Sequence, residues 1–144
     1  MGAWEIGNFG NDDAMDLVSD VHENGKAELL RAIQKISGSA PDEYLEAPDC
    51  SMALAAVEYI AAAGGKPSGD FPEEAATWIT KNRLLPFTAG GEFGIGAKIT
   101  DIVTLSKQAI DKIITNSELK ELWEESEEFK DWLNIAEGLK KRIS

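Results

Sequence analysis

The chain has 144 residues, 43% of them hydrophobic and 28% charged. A chain of that size is close to the commonest domain length and buries about 68–70% of its unfolded surface, enough for one core without disulfides or a structural metal. Its 26 acidic residues outnumber 14 basic ones, and the net charge of −12 argues against nucleic-acid binding, which depends on Lys and Arg neutralising phosphates.

The lone Cys50 cannot form an internal disulfide, which suits a reducing compartment. The opening Met-Gly-Ala-Trp-Glu lacks the basic-then-apolar pattern of a secretory signal. The longest apolar run, Met52 to Ala63, is broken by Glu58 and is too short to span a bilayer. These features predict a cytoplasmic protein without membrane association.

Met1 to Gly10, with Trp4, Ile6 and Phe9, reads as a tucked irregular segment or a short strand. Asn11, Asp12 and Asp13 signal the start of a first helix, where short polar side chains accept backbone N–H bonds and negative charge favours the dipole. Ala14, Leu17, Val18 and Val21 give its apolar face, and Asn24-Gly25 ends it. A second helix runs from about Lys26 to Ser37, with Leu29, Leu30, Ile33 and Ile36 inward, before Pro41 breaks the chain. Asp42 to Ala47 is expected to form a short helical turn, with Tyr44 and Leu45 covering the core. A third helix starts near Pro48, a residue suited to the first helical position, and ends at Gly64-Gly65. Its alanines face several directions, which makes it the expected central helix.

Phe71 to Glu74 open a fourth helix reaching about Asn82, with Ala75, Trp78 and Ile79 inward. Leu84 to Gly96 reads as a long connection, and its glycines from Gly90 to Gly96 suggest a mobile loop. A fifth helix covers about Ala97 to Thr115 with a stripe of Ile99, Ile102, Val103, Ser106, Ile110, Ile113 and Ile114. Ser117 caps a sixth helix carrying Leu119, Leu122 and Trp123. The seventh runs from about Glu127 to Ile143, with Trp132, Ala136 and Leu139 inward and Lys140, Lys141 and Arg142 at its negative dipole end. Gly138 inside it costs about 1 kcal/mol relative to alanine. The expected fold is all-α: a single domain over residues 1–144, a bundle of six to seven helices with an irregular N-terminal segment. A short strand pair in the Gly-rich stretches is the main alternative.

Met1 to Trp4, Gly7, Phe9, Asn11, Asp12, Ala14 and Asp16 together resemble the opening of a bacterial family known only as domain of unknown function 4259. Glu5 stands where that family usually has glycine, and Leu17 where it has tryptophan. Tyr44-Leu45-Glu46-Ala47-Pro48 and Ser117-Glu118-Leu119 with Leu122-Trp123-Glu124 are also similar. The resemblance implies a divergent bacterial member and carries no activity with it.

No catalytic constellation is evident. His22 and Cys50 stand alone, and one His with one Cys does not make a zinc site of the usual kind. Asn11-Asp12-Asp13 with Asp16 lacks the calcium-loop pattern and is explained by helix capping. Gly90 to Lys98 lacks the spacing of a phosphate loop. No cofactor is expected, and the chain is not expected to be an enzyme. Glu58 stands out: a charge within the most apolar helix must be paired or lie on a narrow exposed strip, and Arg31 and Arg83 are the expected partners.

The acidic residues gather in two places. Asp12, Asp13, Asp16, Asp20 and Glu23 precede any Lys or Arg, and Glu118, Glu121, Glu124, Glu125, Glu127, Glu128 and Asp131 face only Lys120 and Lys130. Such carboxylates could dock a basic protein, and the reading is a protein-binding inhibitor of the immunity or antitoxin type acting on a basic partner such as a toxin. The alternative is a small-ligand-binding protein or enzyme with a carboxylate pocket of Glu46, Asp49 and Glu58.

Overall fold

Alanine sets the centre of this fold. In the computed structural model, which describes residues 7–40, 42–81, 92–93 and 97–143, helix α3 (Ala47–Ala63) is buried on every side from Cys50 onwards, Met52 excepted. Small side chains let neighbouring axes approach closely, and α3 touches all six other helices. These are α1 (Asp12–Asn24), α2 (Ala27–Ser37), α4 (Glu73–Lys81), α5 (Ile99–Thr115), α6 (Glu118–Glu124) and α7 (Phe129–Arg142). The fold is all-α, as the sequence predicts. The strand structure among the described residues is a minimal antiparallel pair, β1 (Glu92–Phe93) with β2 (Ala97–Lys98), in register Glu92 with Lys98 and Phe93 with Ala97.

The end signals act as their chemistry requires. Asn11 accepts the Ala14 N–H at 2.7 Å and starts α1. Gly25, at φ +93°, takes the left-handed turn that closes it. Ser117 accepts the Lys120 N–H at 3.0 Å and starts α6. The Lys112 ammonium donates to the carbonyls of Ser37 (3.0 Å) and Ser39 (2.7 Å), placing positive charge at the C-terminus of α2.

The structure corrects three local expectations. Asp42 to Glu46 is not helical: Tyr44 is 56% exposed while Leu45 is buried. Here the Leu45 carbonyl accepts the Glu118 N–H at 2.8 Å, and the Ala47 N–H donates to the Glu118 carboxylate at 2.7 Å. One local turn bond remains, from the Glu43 N–H to the Ala40 carbonyl at 3.0 Å, and beyond it bonds to Glu118 take the place of helical ones. Helix α5 begins at Ile99 rather than Ala97 because Ala97–Lys98 pairs with β1. Helix α7 begins at Phe129, since the Glu128 N–H donates to Ser126 Oγ at 3.1 Å in the turn before it. Residues 1–6, including Trp4 and Ile6, lie outside the described residues, as do Arg83 and most of the Leu84–Gly96 connection.

The N-terminal segment is anchored by aromatic rings. Phe9 meets Phe71 edge-on at 5.4 Å, Phe71 meets Tyr59 at 5.4 Å, and Tyr59 meets Trp78 at 5.9 Å. This row carries the chain over the C-terminal half of α3 and onto α4.

Candidate functional site

Two regions at opposite ends of α3 concentrate polar chemistry. At the C-terminal end, Glu58 is 1% exposed. Arg142 of α7 meets it through two parallel bonds, Nη1 to Oε1 at 2.8 Å and Nη2 to Oε2 at 2.9 Å. Asn8 adds a third, Nδ2 to Oε2 at 2.7 Å, and Arg142 Nη1 also donates to the Lys66 carbonyl at 3.0 Å. A buried carboxylate with both oxygens bonded is tolerated where a lone one is not. The group ties the central helix to α7, to the N-terminal segment and to the loop after α3.

The partners differ from those expected. Arg31 bonds instead to Glu28, three residues before it on the same helix, and Arg83 lies outside the described residues. The Glu46, Asp49 and Glu58 pocket does not form. Glu46 is exposed, Asp49 pairs with Lys35 at 3.0 Å, and Glu58 lies nine positions beyond Asp49, about 13 Å along the axis. Glu58 alone of the three lines a cavity of about 670 Å³, together with Asn8, Ser68, Asp70, Gly138 and Arg142. Within that cavity the Asp70 carboxylate accepts Ser68 Oγ at 2.6 Å and the Phe9 N–H at 3.4 Å.

At the N-terminal end of α3 the acidic residues converge. Burial, then the charges of Asp16, Asp12 and Asp49, push the Asp13 carboxyl above its ordinary value. Across the same corner, Tyr44 Oη donates to Glu121 at 3.3 Å. Its phenol is pushed up by local desolvation and by Glu118 and Glu121. Beyond it, Glu124, Glu125, Glu127, Glu128 and Asp131 are exposed along α6 and the start of α7. Among the described residues no ion pair involves Asp12, Asp13, Asp16, Glu125, Glu127, Glu128 or Asp131.

Three candidates are placed differently from the rest. Asp20 is half-buried and lines a small cavity with the Arg31–Glu28 and Lys35–Asp49 pairs. Glu124 pairs with Lys120 at 3.1 Å. Glu118 is half-buried and bonds the start of α3. His22 is exposed, whereas Cys50 is fully buried and its thiol is pushed up to about 12 by that burial. A thiol held neutral in this way is a poor nucleophile. Among the described residues, no group of three or more His, Cys, Asp or Glu is placed to hold a metal ion, and no helix is long and apolar enough to cross a membrane.

The sequence pattern did not reveal Asn8, Asp70 or Arg142 as site residues. Arg142 reads there as a helix-end charge, and only its position opposite Glu58 shows otherwise.

Fold and site together define a small all-α protein with, among the described residues, one buried ion pair and an acidic end. Residues 2–134 match the family described as domain of unknown function (DUF4259), and the chain belongs to that family. Ile135, Gly138 and Arg142 lie beyond the matched span. No curated protein and no solved structure matches the chain.

Proposed function

We propose that the protein acts by binding rather than by catalysis, docking a basic protein through the acidic end of α3. The observation that carries this reading is the run of exposed carboxylates without ion-pair partners, set beside Tyr44, a 56% exposed aromatic ring. Tyrosine is enriched at the centres of protein interfaces, and a one-signed field speeds encounter with a partner of opposite charge. Within that class, the reading is an inhibitor of the immunity or antitoxin kind, working in the bacterial cytoplasm and covering a basic toxin.

The test is co-purification with the product of the adjacent gene, at low and at high salt. A complex with a basic protein is expected, weakening as salt rises. The triple variant Glu125→Lys, Glu128→Lys, Asp131→Lys should bind at least about tenfold more weakly while its stability changes by less than about 0.5 kcal/mol. Failure to retain a basic protein at low salt, or equal retention by the triple variant, overturns the proposal.

A further inference from the structure

The cavity at the C-terminal end of α3 contains two groups of opposite charge with bonding capacity left over. A guanidinium carries five N–H donors. Arg142 spends two on Glu58 and one on the Lys66 carbonyl. Its Nε–H and the second Nη2–H, which form the side edge of the guanidinium, have no partner among the described residues. Asp70 is the other group. Ser68 and the Phe9 N–H hold its carboxylate, and it lies so close to Gly7 that a Cβ there would collide with it. No ion pair reaches Asp70 among the described residues.

Both residues line the same cavity of about 670 Å³, inside the range of roughly 300–1,000 Å³ usual for small-molecule sites. Pro67 and Ile135 give it apolar wall. Gly138 completes that wall from the middle of α7, and a Cβ added there would meet nothing within 4 Å. Close helix packing therefore does not require this glycine. Its effect is to leave the wall low and the cavity open.

We propose that this cavity binds a small zwitterion of the α-amino-acid type. The ligand carboxylate takes the side edge of Arg142 through two parallel bonds, and the ammonium pairs with Asp70. The aliphatic part lies along Pro67 and Ile135, over Gly138. Glu58 and Asn8 are positioning residues: they hold the guanidinium in place before the ligand arrives, which lowers the entropy lost on binding. A bare amine leaves the Arg142 edge unmet, and a bare carboxylate leaves Asp70 unmet. The site is independent of the acidic docking end, which lies at the other end of α3.

The test uses the full chain and each of the twenty L-amino acids at about 10 mM or at its solubility limit, with butylamine and butyrate as single-charge controls. A ligand that binds only the folded state raises the melting temperature, by an amount that grows with the logarithm of its concentration once that exceeds the dissociation constant. At least one amino acid is expected to raise it and to shift the amide resonances of Ser68, Asp70 and Gly138. Butylamine and butyrate should bind at least about tenfold more weakly. Asp70→Asn removes the ammonium partner, and Gly138→Leu fills the cavity from an open position on α7. Each should lower affinity at least about tenfold while leaving the ligand-free amide spectrum native-like. The proposal is overturned if no amino acid changes the melting temperature or the resonances. It is equally overturned if a single-charge control binds as tightly, or if both variants bind like the parent chain.

Discussion

At one end of α3, Glu58 is 1% exposed and both carboxylate oxygens are bonded; at the other, Asp12, Asp16, Glu125, Glu127, Glu128 and Asp131 face water without ion-pair partners among the described residues. Solvation explains the contrast. Burying a charge carries a desolvation penalty of several kcal/mol, so the chain must supply a bidentate cation. An exposed carboxylate keeps its water, and a pair formed there is worth only about 0–1 kcal/mol. Charge at the buried end therefore fixes structure. Charge at the exposed end adds little to stability and remains available to a partner.

The largest expected effect tests the buried end. Arg142→Met leaves Glu58 with Asn8 alone, and breaking a buried pair from one side typically costs about 3–5 kcal/mol. Urea unfolding at neutral pH measures it. Glu58→Gln should also lower the melting temperature, but by less, because the Arg142 side chain is 26% exposed and can turn to water. If Arg142→Met loses under about 1 kcal/mol, Glu58 is not held as a buried charge and the contrast between the two ends fails. An unchanged melting temperature for Glu58→Gln would have the same meaning.

Periodicity and end signals make the seven helices of the described residues legible, because Asn11, Gly25, Pro48 and Ser117 act through local chemistry. The central place of α3 was legible as well, since a helix apolar on all sides has nowhere else to go. Glu58 could be recognised as needing a partner for the same reason. Its partner could not be named. Arg142 lies 84 residues away, and no local pattern encodes which of several arginines a fold brings round. Asn8 and Asp70 are likewise polar residues in irregular segments, whose positions depend on the packing of Phe9 and Phe71. The path of Leu45 to Ala47 carries no local signal, because its hydrogen bonds run to Glu118, far along the chain.

Cys50 extends the comparison to pH, since it is buried near Asp49 and Glu118 at the acidic end of α3. Its thiol titrates near 9 when unfolded and is pushed up to about 12 in the fold by burial. The folded state thus keeps a proton that the unfolded state releases. The stability this confers is whole below pH 9 and is lost progressively as pH rises from 9 towards 12, by at most about 1.4 kcal/mol per pH unit. Cys50→Ala removes that slope, and urea midpoints between pH 8 and 10.5 should diverge between variant and parent. Parallel curves would show that Cys50 ionises as readily folded as unfolded. A thiol reagent should react with the native chain only after unfolding.

Glu118 sits on the boundary between the two kinds of charge. It belongs by sequence to the acidic run, yet its Oε1 accepts the Ala47 N–H at 2.7 Å and its own N–H donates to Leu45. The carboxylate therefore satisfies a first-turn N–H of α3, and losing such a cap typically costs about 1 kcal/mol. Glu118→Ala should lower stability by about that amount. Glu118→Gln keeps an oxygen at the same place and should recover most of the loss in urea midpoints, although it carries no charge. In the proposed complex the order differs: charge is what a basic partner reads, so both variants should weaken docking to a similar, small extent. If Gln destabilises as much as Ala, charge at the helix N-terminus matters more than the bond itself, and Glu118 belongs with the exposed carboxylates after all.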